Sequence, residues 1–428
     1  MPAADALALI SQRWPAVAEA LARAPEIVVE RVGDGPRPTL RVEGLHLSSR
    51  YDPDAEAAVQ ALLIPSEAEA AWVYGVGVGA LPRRLLQRPR LKVLHLVVLN
   101  VAVFNQVLRH FHCDDWLADP RLELHLGSDV ARLQGPFCAV PPCLKLAEEG
   151  SSRLRDNVVL TLDSSYLNQR FQNNAAIRQQ IEANGERLAG DRDVAELFDT
   201  VEGGDIYIAA AGPSLGEQFD LIRTAQAEGG FLIAVDAALK PLAREEIWPD
   251  LVISIDEVRD HLLALFDLDL TPLTQTPLVY FPCVHGDVLA RWPGPRFGAY
   301  SHSEVFDGMA RAIPRGRLYA SGSVLHSAVD LAVRMGARRL HLLGADFAYP
   351  GGHSHVRGAV FDQDVAMLDP GDWVINGHGE RVVTTRNLRG YLRDLEHYIE
   401  QHPEVLFINH SREGGRIAGA CYRDEIEL

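Results

Sequence analysis

The sequence predicts an α/β protein with a mostly parallel sheet, and three observations carry that prediction. The run Asp205-Ile-Tyr-Ile-Ala-Ala-Ala lies between Gly203-Gly204 and the turn Gly212-Pro213-Ser214, and an amphipathic stretch opens at Leu215. From there to Phe347, short β-rich runs alternate with stretches of helical periodicity. Earlier in the chain, Ala71–Val76 runs into Gly75-x-Gly77-x-Gly79 and then into another helical pattern. Apolar runs bounded by glycine read as buried strands, and strands that alternate with helices form parallel sheets.

Taken in order, residues 1–25 form an Ala/Leu-rich helix with a break near Pro15. Residues 26–50 alternate as strands around Gly33-Asp34-Gly35-Pro36, and Ala55–Leu63 is helical. The strand Ala71–Val76, a helix over Leu81–Gln87, the strand Lys92–Leu99 and a helix over Ala102–Phe111 make a βαβ unit. Where a dinucleotide fold places a ribose-binding acid, this unit ends Val-Val-Leu99-Asn100. It therefore reads as a degenerate nucleotide fold. Pro136–Pro142 reads as a loop, and 151–200 as a polar helical connector. The domain assignment is 1–150, connector 151–200, and a Rossmann-like domain over 201–428.

In that last domain a helix is expected over Leu215–Glu228, with Leu215, Phe219 and Ile222 on one face. The strand Phe231–Val235 ends at Asp236, the helix Ala237–Glu246 follows, and the strand Leu251–Ile255 ends at Asp256. Further strands are expected at Leu278–Phe281 and Arg296–Tyr300. The small-residue loop Ala320–Ser323 opens a helix Val324–Met335 capped by Gly336, and the strand Arg339–Leu343 leads into Gly344-Ala-Asp346-Phe347. Parallel sheets bind ligands beyond the carboxyl ends of their strands. Ser214, Asp236, Asp256, Ser321, Gly322, Ser323 and Asp346 all fall there. At the first turn, Gly212 permits a close approach or a positive φ, Pro213 fixes φ, and Ser214 reads either as a helix N-cap or as a phosphate contact.

The chain has 428 residues, 47% hydrophobic and 23% charged, with a net charge of −17. That length holds two or three domains, and that charge argues against a nucleic-acid partner. No apolar run reaches membrane-spanning length and no signal peptide is evident, so a cytoplasmic location is expected. The five cysteines form no C-x-x-C pair. Asp267-Leu-Asp269 matches a metal-binding Asp-x-Asp by letter, but its leucine-rich setting before Thr271-Pro272 fits a helix end better. His353-Ser-His355 lacks a nearby third ligand, so no metal is expected. Glu396–Glu400 reads as a solvated helix face.

Several spaced motifs resemble the Maf (motility-associated factor) flagellin glycosyltransferases. They are Gly212-Pro213-Ser214-Leu215, the Val-Asp-Ala-Ala-Leu run at 235–239, Pro249-Asp250 through Asp256, Gly322-Ser323-Val324, Gly344–Tyr349, Gly352–His355 and Gly415–Gly419. The resemblance covers about 200–428 and extends weakly to the N-terminal glycine unit. It implies transfer of a nonulosonic acid from a CMP-activated donor to Ser/Thr of flagellin, with no cofactor beyond that donor substrate. The central domain is also similar to bacterial CMP-sialic acid sialyltransferases. That similarity implies nucleotide binding by Gly212, Pro213, Ser214, Ser321, Gly322 and Ser323, with Asp236 where those enzymes have asparagine. It implies leaving-phosphate support by Tyr349, with His355 near the place of a second tyrosine, and a base at His378 in Gly377-His378. As residues alone, His378 is a β-turn histidine, and Asp256 is either a site carboxylate or a helix cap. The Gly-Pro-Ser-Leu and Pro-Asp pattern also resembles the MptE-like 6-hydroxymethylpterin pyrophosphokinases. A third reading is a scaffold that binds flagellin or a sugar nucleotide without turnover.

Overall fold

The computed structural model describes residues 2–33, 38–172, 174–201, 203–365 and 372–426. They form two compact units, Met1–Ser164 and Ser165–Leu428, and the helix Ser152–Gln172 contains the boundary. The turn expected at Gly33–Pro36 lies outside the described residues from Asp34 onward.

In the first unit, β1 (Glu30–Val32), β2 (Thr39–Val42) and β3 (Leu45–His46) form an antiparallel sheet. A second, parallel sheet contains β4 (Ala70–Tyr74), β5 (Val93–Val98), β6 (Leu122–Leu126) and β7 (Phe137–Ala139), in the order β6-β5-β4-β7. Pro136–Pro142 is thus not a loop: it supplies an edge strand and the start of the helix Pro141–Lys145. The proline at 136 lies outside the strand itself, where its missing N–H costs the ladder nothing.

The glycine turn after β4 is filled by protein. Gly75 has φ +100° and Gly79 φ +85°, and Cβ atoms there would lie 2.4 Å from Cys143 Cβ and 2.8 Å from Trp116 Nε1. The Gly77 N–H donates to Cys143 Sγ at 3.3 Å. Asn100, at the position of the expected acid, caps the helix Val101–His110 by accepting from the Val103 N–H, and its Nδ2 donates to Leu146 O.

Among the described residues, the second unit is built on a nine-stranded sheet: β8 (Arg192–Asp193), β9 (Asp205–Ala209), β10 (Phe231–Val235), β11 (Leu251–Ser254), β12 (Leu278–Tyr280), β13 (Arg296–Gly298), β14 (Arg339–Leu343), β17 (Leu406–Asn409) and β18 (Cys421–Tyr422). The numbers β15 (Trp373–Ile375) and β16 (Arg381–Val383) belong to a separate antiparallel hairpin. The sheet order is β18-β17-β14-β9-β10-β11-β12-β13-β8, and every pairing is parallel. From β9 the chain steps outward to β13, then returns to place β14 on the other side of β9. The switch point therefore lies between β9 and β14. Strands β10, β11, β12 and β14 are buried almost throughout, which is why they read as continuous apolar runs.

The expected helix Leu215–Glu228 is two pieces, a 3₁₀ turn Pro213–Glu217 and the helix Phe219–Ala227. The break falls at Gln218, whose amide accepts from the Gly344 N–H and donates to His410 O. The helix Arg386–Gln401 overturns the reading of Glu396–Glu400 as a solvated face. Glu396 is 1% exposed, is paired with Arg393 at 2.8 Å, and accepts from the Ala418 N–H.

Beside the switch point, His341 of β14 stacks on Tyr207 of β9 at 4.1 Å, and its Nδ1 lies 2.9 Å from His410 Nε2. Burial holds both imidazoles down to about 4. An unfolded histidine titrates near 6.5. The unfolded chain therefore binds more protons than the folded one between pH 6.5 and 4, and this pair's contribution to stability is lost as pH falls through that window. Asp236, pushed up to about 6 chiefly by burial, acts with the opposite sign over pH 3.8–6. The difference between wild type and His341→Phe, which keeps the stacking without titrating, isolates the pair. Thermal melts from pH 7 to 4.5 should show a smaller loss of Tm in the variant; an equal loss in both would reject this assignment.

Candidate active site

The turns after β9 and β14 meet across the switch point. The Ser214 N–H donates to Asp346 Oδ2 at 2.8 Å. The Gly212 N–H donates to Gly344 O at 2.9 Å. Gly212 has φ −66°, so of the two expectations, a close approach or a positive φ, the second is not met. Its missing side chain instead makes room for protein, because a Cβ would lie 2.4 Å from Gly344 O and 2.5 Å from Asp346 Oδ2. Ser214 is not the N-cap either. That place is Gly212's, and Ser214 is buried in the 3₁₀ turn behind Pro213.

Burial drives the Asp346 carboxyl above the usual carboxylate range, while the Ser214 N–H and the Ser214 and Ser411 hydroxyls pull it back. Even so, neither Asp346 Oδ1 nor Ser214 Oγ has a hydrogen bond of good geometry among the described residues. Asp346 also anchors the loop after β17. The Gly415 N–H donates to Asp346 O, and a Cβ at Gly414 would lie 2.6 Å from Asp346 Oδ1.

A second group of acids stands at the ends of β10 and β11. Asp236 is buried, accepting from Ser254 Oγ at 2.7 Å and from the Ala237 N–H at 2.8 Å. Asp256 is half-buried, and one oxygen accepts from the Val258 N–H, shaping the turn before the helix Arg259–Leu265. Burial raises the Glu257 carboxyl, and the adjoining Asp256 carboxylate adds to the shift.

The loop Ser321–Ser323 is held from the helix Arg386–Gln401. Ser321 Oγ donates to Asp394 Oδ2 at 2.5 Å. Gly322 has φ +81°, and a Cβ there would lie 2.6 Å from the Tyr391 ring. His326 Nε2 lies 2.9 Å from Tyr391 O. Ser323 caps the helix Val324–Arg334 by accepting from the Leu325 N–H. The backbone N–H groups of Ser321, Gly322 and Ser323 donate to no group among the described residues. Burial raises the Tyr391 phenol, and the charges of Asp394, Asp256 and Glu257 add to the effect.

The histidines take different places. Val356 N–H donates to Ala211 O at 2.9 Å, laying the loop that carries His355 over the end of β9. His355 Nδ1 lies 3.0 Å from Ser354 Oγ, and burial lowers its imidazole below the ordinary range. Tyr349 is half-buried at the start of that loop, its N–H donating to Val383 O. His378 is exposed in the β15–β16 turn, with Nε2 3.1 Å from Glu413 Oε1. That turn reaches Asp346 through one loop, because the Gly377 N–H donates to Arg412 O, two residues before Gly414. His353 faces Asp362 at 3.4 Å. Asp269 Oδ1 accepts from the Thr271 N–H, so Asp267-Leu-Asp269 closes a turn. Among the described residues, no group of three or more His, Cys, Asp or Glu is arranged to hold a metal ion. No helix of the described residues is long and apolar enough to cross a membrane.

Sequence reasoning did not single out Ser254, Tyr391, Asp394, His326 or Glu413. Tyr391 and Asp394 are three positions apart on one helix face, and that spacing was the available signal.

Residues 179–352 match the model of a family described as 6-hydroxymethylpterin diphosphokinase MptE-like. A solved structure of a Maf glycosyltransferase from Magnetospirillum magneticum AMB-1 is similar at 14% identity and a TM-score of 0.45, over 100% of this chain and 75% of that one. A search among curated proteins returned no match.

The switch-point packing makes a direct prediction. Gly212→Ala should destabilise the protein by about 1–3 kcal/mol in urea unfolding, although alanine adopts that φ freely. Gly216→Ala, whose Cβ would lie 3.5 Å from Val356, should be near neutral. Equal stability of the two variants would show that the crevice has slack.

Proposed function

We propose that this protein is a nucleotide-dependent group-transfer enzyme, a glycosyltransferase that moves a nonulosonic acid from a CMP-activated donor to a Ser/Thr hydroxyl of flagellin. One observation carries the reading. The turns after β9 and β14, the acids after β10 and β11 and the loop before the helix Val324–Arg334 all stand at the carboxyl end of one parallel sheet, around its switch point. Ligands of such sheets bind there. The motif resemblance supplies the donor and acceptor.

Departure of CMP leaves a phosphate monoester, so the site must meet growing negative charge and remove a proton from the acceptor. The N–H groups of Ser321–Ser323, at the start of an 11-residue helix, suit the phosphate. Ser214 is poorly placed for that work, because its N–H already serves Asp346. His378 is the proposed base: Glu413 lies within hydrogen-bond reach of one ring nitrogen and orients the imidazole, the arrangement a general base requires. His355 and Tyr349, on the loop beside β9, are the proposed partners of the leaving phosphate.

The second reading is a 6-hydroxymethylpterin diphosphokinase. It is favoured by the family match over 179–352 and by Asp236, Asp256 and Glu257 on adjoining strand ends. Phosphoryl transfer from a nucleoside triphosphate uses a divalent cation, whereas the glycosyl transfer needs none. CMP should raise Tm more than GDP, UDP or S-adenosylmethionine, and release of CMP from a CMP-nonulosonate in the presence of flagellin should survive EDTA. A larger shift with ATP and magnesium, or activity restored only by magnesium, would favour the kinase.

His378→Ala should cut turnover by roughly 10²–10⁴-fold while CMP binding stays near wild type. Wild-type turnover in that variant, with loss in His355→Ala, would transfer the base role to His355.

A further inference from the structure

The Ser354 hydroxyl has one proton and three neighbours to satisfy. Its Oγ lies 3.0 Å from Phe361 O, accepts from the Gln363 N–H at 2.9 Å, and lies 3.0 Å from His355 Nδ1. A carbonyl oxygen only accepts, and Phe361 O receives no other hydrogen bond among the described residues. The serine proton therefore goes to Phe361 O. With that proton spent, Ser354 can only accept from the imidazole, so His355 Nδ1 carries the hydrogen. A neutral ring has one N–H, which leaves Nε2 a bare lone pair. That nitrogen has no partner among the described residues and is open to solvent.

This tautomer bears on the role proposed for His355. A leaving phosphate brings only acceptors, and a lone pair on Nε2 would repel it. A second proton removes the conflict, and Ser354 Oγ still accepts from Nδ1 when the ring is charged. Burial disfavours that charge, while the Phe361 carbonyl and the Asp362 carboxylate favour it. The other titratable or charged groups around the loop are Tyr349, His353, Arg357 and Asp364 on the loop itself, Glu217 beside the Gly216–Val356 contact, Arg244 donating to Gly358 O, and His261 against the Phe361 ring.

We propose that Ser354 is a positioning residue that fixes the His355 proton on Nδ1, so that His355 meets the leaving phosphate only after taking a proton from solvent on Nε2. Phosphate binding is then coupled to proton uptake, and phosphate release returns that proton. The phosphate role rests on the proposed function above; the tautomer rests on the loop's own hydrogen bonds.

The two parts are read by separate measurements on the full-length protein. Nitrogen-15 spectra of histidine-labelled protein at pH 8, with the His355 signals assigned by their loss in His355→Gln, should show Nδ1 protonated and Nε2 unprotonated in wild type and in Ser354→Thr. Ser354→Ala should show a mixture of both tautomers. Calorimetry of CMP binding at pH 7, in buffers of different ionisation enthalpy, counts protons. Wild type and Ser354→Thr should take up most of one proton with CMP and none with cytidine, which lacks the phosphate. The uptake should vanish in His355→Gln. It should fall in Ser354→Ala without loss of the preference for CMP over cytidine, because a ring with hydrogen on Nε2 can donate without a second proton. A variant whose only fault was a disturbed loop would lose that preference instead.

A protonated Nε2 in the neutral wild-type ring would overturn the proposal, as would equal proton uptake in wild type and His355→Gln. Should Ser354→Ala fail to fold, those two measurements decide without it. Failure of CMP, UMP, GMP and AMP alike to bind wild type would overturn the nucleotide reading and the phosphate role of His355 with it, while the spectrum of the free protein still judges the tautomer.

Discussion

The second unit depends on one carboxylate bonded across the reversal of its sheet. Asp346 follows β14, Ser214 follows β9, and 132 positions of sequence separate them. Their hydrogen bond closes the crevice that the strand order opens. A buried carboxyl without partners would be costly, and a bond to a charged group contributes about 1.5–3 kcal/mol. Gly212 and Gly414 are small because Asp346 occupies the space where their Cβ atoms would lie. The next residue, Phe347, has φ +48°, a left-handed conformation that costs a bulky side chain energy. It persists because Thr384 Oγ1 donates to Phe347 O and the Gly415 N–H donates to Asp346 O. Three distant segments therefore fix this corner, and the hairpin with His378 and the loop with Glu413 hang from it.

The same end of the sheet is rich in acid and poor in paired cation. Asp236, Asp256, Glu257, Asp346 and Asp394 gather there, and burial raises the carboxyls of four of them: Asp236, Glu257, Asp346 and Asp394. On the proposed reading, the backbone amides at the start of the helix Val324–Arg334 meet the phosphate, since these carboxyls cannot. Of the arginines near these elements, Arg393 is paired with Glu396, Arg244 donates to Gly358 O and Arg259 is paired with Asp287, while Arg357 and Arg416 stand exposed beside Val356 and Gly415.

Much of this was legible in the sequence. β10 and β14 stand out as unbroken apolar runs, and β14 has the bounds its sequence suggests, because a strand buried on both faces has no polar positions to blur its ends. The edge strands β8 and β18 are two residues long and have no such pattern. Strand-end positions were readable, but the work each residue does was not. Gly212 and Ser214 look alike whether they face a ligand or another part of the chain, and the partner that decides lies far away in sequence. Glu396 misled for a related reason. A charged residue on a helix is normally solvated, but the buried Arg393 and the Ala418 N–H pair this one away from water.

The glycine turn of the first unit has a consequence for ligand affinity. Cys143 and Trp116, both buried in the unit's core, pack against its glycines and leave only a small cavity lined by Gly75, Gly77, Leu99, Asn100 and Cys143. Any molecule seeking the place a nucleotide takes in related folds would have to evict part of that core first. Its apparent affinity would be its intrinsic affinity multiplied by the small fraction of time the core stands open. The protein's own side chains thus compete with any such ligand for the same space.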